Sequence, residues 1–198
     1  VIVQDPSYPI HHYAPLIAGA NVIKIECLSS ENFLNNLNTT LTSQKVKAVL
    51  VSFPHNPTTL TVNQEFYDEL VILARRYNFL IINDFAYSDI YFNEEKPPSL
   101  LNSDPQFDHT VELYSLTKGY SMAGWRVGFA VGNESAISSL TKLKSYIDYG
   151  TFQPIQIAST VAINELDDYP KEVSSIYQER KILAAVSYTH LRAHETRY

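Results

Sequence analysis

The sequence predicts an α/β domain built on a mostly parallel sheet, and three observations carry that prediction. Short apolar, β-branched runs alternate with longer stretches of helical periodicity from the first residues onward. The run VKAVLVSF (46–53) is continuous rather than alternating, as suits a strand buried on both faces of a sheet with helices on each side. The last two runs, TVELYS (110–115) and WRVGFAVG (125–132), follow each other too closely for a helical crossover. The second should therefore run antiparallel to its neighbours.

Taken in order, VIVQ opens as a strand and a helix-like stretch follows around 10–19. NVIKIEC is the next strand, with a second helical stretch around 31–42, and then the buried run 46–53. Residues 63–77 place Phe66, Leu70, Leu73 and Tyr77 at helical spacing, with Asn63 as N-cap two residues before Glu65. FLIIND (79–84) and TVELYS are strands. NEEKPPSLLNSDP (93–105), between them, is the one long polar loop. Helices around 134–148, 154–166 and 170–185 complete the pattern, and no internal repeat or interior linker interrupts it.

Composition narrows the function classes. With 45% apolar and 18% charged residues, the 198-residue chain has enough apolar side chains for a packed core and too few charges for disorder. The net charge of −6 and the lack of a basic stripe argue against nucleic acid as a partner. No stretch approaches the roughly 20 apolar residues that span a bilayer, so no membrane partner is expected. The single cysteine, Cys27, can form neither an internal disulfide nor a CxxC metal site, which fits a reducing, cytoplasmic compartment. It reads as a packing residue. His11, His12 and His55 lack metal-ligand spacing, and HHY reads as a helix face or a pocket rim. Six glycines without a clustered run exclude a glycine-rich phosphate loop.

The termini stand apart. The chain starts without methionine inside a strand-like run and is expected to be an internal fragment. At the other end, VSYTHLRAHETRY (186–198) loses the periodicity of the helix before it and is expected to be a non-native tail that packs against nothing. His190, Arg192 and His194 are accordingly excluded as site residues.

In open α/β sheets, ligands sit beyond the carboxyl ends of the strands. The residues that follow each strand here form a specific set. Tyr8 follows the first, Asn56 follows VLVSF, Asp84 and Tyr87 follow FLIIN, and Ser115 and Lys118 follow VELY. An aromatic, an amide, a carboxylate, a phenol, a hydroxyl and a lysine at one sheet edge suit a flat, phosphorylated, cationic heterocycle held covalently through an amine. Taken singly, each has a plainer reading: Asp84 as a helix cap, Ser115 and Asn56-Pro57 as turn residues, Tyr87 as a core aromatic. Lys118 resists one, because LYSLT and GYSMAGW leave it no solvated face.

Together FPHNPTT, NDFAYSDIYF and SLTKGYSMAGWRVGFAVGN resemble the class I/II aminotransferases, fold type I enzymes dependent on pyridoxal 5′-phosphate. The four pieces keep the family's order and spacing, and the resemblance runs over about residues 1–185. It implies a partial cofactor-binding large domain over 1–167, incomplete at both ends. A helix at 168–185 would lead toward a C-terminal small domain, with 186–198 as the tail. It also implies that Lys118 carries the cofactor covalently and then moves the proton at the substrate α-carbon, a role that suits lysine because a neutral amine is nucleophilic. Asp84 would pair with the pyridine nitrogen, and Asn56 and Tyr87 would hydrogen-bond the phenolic oxygen. Ser115 and Arg126 would bind the phosphate, and Tyr8 would stack on the ring.

The resemblance also limits the reading. The upstream phosphate-binding backbone and the arginine that grips the substrate carboxylate have no counterpart here. Arg180 and Arg192 are not assigned that role, and the fragment alone is not expected to turn over. FPHNPTT in place of an NNPTG-type loop, with LKSYIDYGTFQPIQIAS (143–159), looks most like the alanine (glutamate–pyruvate) transaminases, with LL-diaminopimelate aminotransferases close behind. The substrates implied are an amino acid and a 2-oxo acid. A β-lyase of the same fold, or the aminotransferase-like sensor domain of a transcription regulator, would share the same cofactor residues. The resemblance further implies a homodimer, with DYGTF (148–152) as the stretch reaching the subunit boundary.

Overall fold

The computed structural model describes residues 1–92 and 95–195, with side chains as far as Tyr188. Six strands form one sheet: β1 (Ile2–Asp5), β2 (Ile23–Glu26), β3 (Ala48–Val51), β4 (Leu80–Asp84), β5 (Thr110–Ser115) and β6 (Gly128–Gly132). Their spatial order is β2-β1-β3-β4-β5-β6. Every neighbouring pair is parallel except β5 and β6, which run antiparallel from Val111↔Gly132 to Ser115↔Gly128. The short β5–β6 connection allows no other geometry, as the sequence predicts.

The connections are α1 (Pro9–Ile17), α2 (Ser30–Ser43) and α3 (Gln64–Tyr77), then the single turn α4 (Leu116–Gly119), then α5 (Glu134–Ile147), α6 (Gln153–Glu165) and α7 (Tyr169–Glu195). The chain steps from β1 outward to β2, then crosses back over β1 to β3. Right-handed crossovers therefore put α1 on one face and α2 and α3 together on the other. The packing of α2 against α3 agrees. The point of reversal lies between β1 and β3, where a crevice opens beyond the strand ends.

Local sequence sets the helix boundaries. Ser29, Asn63 and Asn133 each accept a hydrogen bond from a backbone N–H three residues on, at 3.0–3.2 Å, and so cap α2, α3 and α5. Asn78 ends α3 in the left-handed conformation, where asparagine is tolerated. The core lies on the α2/α3 side, where Phe33, Leu37, Phe66, Tyr67 and Leu70 meet Ile2, Val49, Val51 and Ile81. Leu73 and Tyr77 pack at its margin. Cys27 is buried there as a free thiol, with Gln4 Nε2 donating to its sulfur at 3.3 Å, so packing is its role.

Three expectations are corrected. The third strand is not buried on both faces. Val49 and Val51 are fully buried, whereas Ala48 and Leu50 are only half-buried. The loop at 93–105 is not wholly irregular. A 3₁₀ turn, Leu100–Ser103, buries Leu100, and Glu112 of β5 accepts from Leu100 N–H (2.9 Å), Ser99 Oγ (2.7 Å) and Asn83 Nδ2 (2.9 Å). Residues 93 and 94 of that loop lie outside the described residues. Finally, α7 does not stop near 185 but continues to Glu195, through a stretch free of glycine and proline. Apolar periodicity reports packing, and a helix can outlast it. Val186 and Tyr188 are exposed, as expected of that stretch, and residues 196–198 lie outside the described residues.

Candidate active site

Strand ends deliver the predicted residues to one edge. Ser52, just past β3, ties three strands together there. Its N–H donates to Gln4 Oε1 of β1 at 2.7 Å, and its hydroxyl donates to the Asp84 carbonyl at the end of β4 at 2.9 Å. This holds the backbone of Asp84 and leaves its carboxylate facing the crevice side of α1. There His11 Nε2 meets Asp84 Oδ2 at 2.7 Å. A carboxylate only accepts, so the proton sits on Nε2. The second oxygen accepts from Ala86 N–H at 3.2 Å. His11 is nearly fully buried, while the Asp84 side chain keeps 23% exposure and so retains accessible lone pairs.

Sequence reasoning missed His11, which does more than line a helix face or a rim. It lies one helical turn after Tyr8, and the two rings meet edge to face at 5.7 Å. That spacing, at the switch point of the sheet, was the available signal. Tyr8 itself is 46% exposed and so offers a ring face to a ligand beside Asp84.

On the other side of Asp84, a turn closed by Ile90 N–H to the Tyr87 carbonyl sets Tyr87. Its ring lies 5.4 Å from Lys118 Nζ, which stands over the π surface. Lys118 reaches it from α4, whose N-cap is Ser115, its hydroxyl accepting from Thr117 N–H at 3.2 Å. Tyr87 also shares a cavity of about 770 Å³ with Asn56, walled further by His55, Lys96 and Lys181. Arg126 stands apart from these groups. It is exposed, its Nη1 donates to the Ala123 carbonyl at 3.0 Å, and it caps the 3₁₀ turn Ala123–Trp125 in the left-handed conformation. Gly128, two residues on, pairs with Ser115, which puts Arg126 at the same end of the sheet as Ser115 and Lys118.

His55 is buried, with Nδ1 2.6 Å from Thr58 Oγ1. Burial, and then the neighbouring His11, push its pKa down to about 4, so it stays neutral at neutral pH. The loop it belongs to is strained. Thr59 has φ +62°, a left-handed conformation that a β-branched residue adopts at a cost, and it stands where the NNPTG-type loop has glycine. Thr59→Gly is expected to stabilise the protein by about 1 kcal/mol, the left-handed penalty less glycine's added unfolded-state entropy. Urea titration of the two forms measures it, and a destabilised variant would show that the loop is unstrained.

A sequence model described as Aminotransferase class I and II matches residues 1–194. The chain belongs to the class I and II aminotransferase family. It is 40% identical over 183 residues to the glutamate-pyruvate aminotransferase AlaC of Escherichia coli, covering 91% of this chain and 44% of that protein. It is also 40% identical to an LL-diaminopimelate aminotransferase of Nitratidesulfovibrio vulgaris, covering 91% and 47%. The chain thus spans about half the length of the curated relatives it matches. Among solved structures, substrate-bound BacF from Bacillus subtilis superposes with a TM-score of 0.82 at 30% identity, covering 90% of this chain and 46% of that one. A Thermus thermophilus aspartate aminotransferase variant, at 24% identity, shares the fold with a TM-score of 0.87, covering 96% and 50%.

Proposed function

We propose that the protein is a pyridoxal 5′-phosphate-dependent aminotransferase, moving an amino group between an amino acid and a 2-oxo acid. The observation that carries this is the placement of Lys118 Nζ over the Tyr87 ring, with Asp84 held from behind by His11. The donor set fits that cofactor. Asp84 offers a carboxylate to a pyridine N–H, and Tyr87 and Asn56 offer a phenol and an amide to a phenolic oxygen. Ser115 and Arg126 offer a hydroxyl and a guanidinium to a phosphate.

When bound, the cofactor supplies an electron sink for the pair left as the substrate α-C–H bond breaks. The chain's residues do the rest. Lys118 would hold the cofactor through its Nζ. The same Nζ, tethered beside the reacting carbon, would move the substrate α-proton. Asp84 would pair with the protonated ring nitrogen, and His11 would keep Asp84 aimed. Tyr8 would cover the ring.

Glutamate–pyruvate exchange is the leading substrate reading, supported by the likeness to AlaC. LL-diaminopimelate is the second, supported by equal identity to enzymes of that name. We further propose a homodimer. Tyr146, Ile147, Tyr149 and Phe152, in and beside DYGTF, are strongly exposed apolar side chains in one run, a composition suited to a subunit boundary. The free Cys27 thiol supports a reducing, cytoplasmic setting. Borohydride reduction of the full-length holoenzyme, followed by digestion and mass spectrometry, should place the pyridoxyl label on the peptide that contains SLTKGYSMAGWR. A label elsewhere, or none, would sink this reading.

A further inference from the structure

Tyr87 and Lys118 lie 31 positions apart on separate turns, and the structure shows what fixes one turn against the other. Asp89 is two residues past Tyr87, in the same closed turn. Its Oδ2 accepts from the Tyr114 hydroxyl at 2.5 Å, tying that turn to the end of β5, from which α4 departs. The same carboxylate occupies the side-chain space of Gly119, the residue directly after Lys118. A Cβ added to Gly119 would lie 2.7 Å from Asp89 Cβ and 2.9 Å from its Cγ, closer than real side chains come, and closer still to Oδ2. Glycine is therefore required at 119 by Asp89, not by backbone conformation.

We infer that Asp89 is a positioning residue for Lys118: seated where Gly119 has no side chain and anchored by Tyr114, it sets the distance between the Lys118 turn and the Tyr87 turn. The inference rests on the aminotransferase reading above. Burial first, and then the bond to Asp89, hold the Tyr114 hydroxyl far above its usual pKa, so it remains a donor across the whole working range. Asp89 meets α4 at its last residue, so a shift of its carboxylate moves Lys118 directly. Tyr120, stacked on Tyr169 of α7 at 6.5 Å, supports the turn from the other side.

The test uses the full-length holoenzyme and six variants: Asp89→Ala, Asp89→Gly, Asp89→Asn, Tyr114→Phe, Gly119→Ala and the double Asp89→Gly/Gly119→Ala. For each, kcat and KM are measured separately, with the visible absorption of the bound cofactor and the thermal midpoint. Asp89→Ala should lower kcat roughly 10–100-fold with KM little changed, because a misplacement of about 1 Å at a reacting group has that effect. Its cofactor absorption should shift. Tyr114→Phe should move kcat and absorption the same way and less far. Asp89→Asn keeps the shape and an acceptor for Tyr114, and should stay near wild type. Gly119→Ala should be as damaged as Asp89→Ala. The double variant should recover activity over Gly119→Ala, since removing the whole Asp89 side chain, Cβ included, clears the 2.7 Å contact that the new methyl would make. Three results would overturn the inference: loss of thermal stability alone in Asp89→Ala, Asp89→Asn as damaged as Asp89→Ala, or strict additivity in the double variant. A wild-type protein with no cofactor absorption and no transfer would instead overturn the aminotransferase reading, and this inference with it.

Discussion

Lys118→Ala is expected to abolish amino-group transfer, lowering kcat by at least about 10⁴-fold, while part of the cofactor stays bound without a covalent link. The size follows from what is lost at once. Lys118 Nζ lies over the Tyr87 ring, 5.4 Å from its centre, and it sits on a turn capped by Ser115. Without it the aldehyde has no internal amine to hold it, and the α-proton has no tethered base. Asp84, Ser115 and Arg126 would remain to grip the ring and phosphate, so binding should weaken rather than vanish. Lys118→Arg should fail as badly, since a guanidinium stays protonated and cannot form the covalent link. Turnover assays, with absorbance of the protein after gel filtration, check both halves. Activity within tenfold of wild type in either variant would remove Lys118 from the chemistry.

Much of this arrangement was legible because it is written in strand ends. The alternation of short apolar runs with helical stretches predicts all six strands in order, and the short link after TVELYS predicts the antiparallel edge. Asp84, Tyr87, Ser115 and Lys118 were readable since each follows a strand within a few residues, where parallel topology forces them to one side. The His11–Asp84 bond was not readable in the same way. It joins residues 73 positions apart, and a lone histidine in HHY carries no spacing that names its partner. Nor could Asp89 be read from sequence. Its effect is steric, through an empty side-chain position at Gly119, and no motif encodes a filled gap. The length of α7 was hidden for a different reason. Its last turns have helix-forming residues and no apolar stripe, and periodicity detects only the stripe.

Asp84 should be the second most sensitive position, and its dependence on His11 gives the prediction a distinctive form. Asp84→Ala is expected to lower kcat roughly 10²–10³-fold, the usual consequence of removing one preorganised electrostatic partner from a water-poor site. Asp84→Asn should lose nearly as much, because the amide keeps the shape and an acceptor for His11 but not the charge that keeps a ring nitrogen protonated. Both should be damaged in kcat more than in KM, as the charge matters most when the α-carbon has lost its proton. Asp84→Ala also leaves His11 Nε2 buried without its acceptor, costing about 1–3 kcal/mol of stability. His11→Ala should fall between wild type and Asp84→Ala in activity, since the carboxylate survives but loses its 2.7 Å donor and its fixed orientation. If His11 acts through Asp84, the double variant Asp84→Ala/His11→Ala should be no slower than Asp84→Ala alone. It should also be more stable than that single variant, the stranded ring having been removed. A double variant slower than Asp84→Ala by the full His11→Ala factor would mean that His11 touches the reaction by a separate route, and the crevice beside Tyr8 would be the place where it does so.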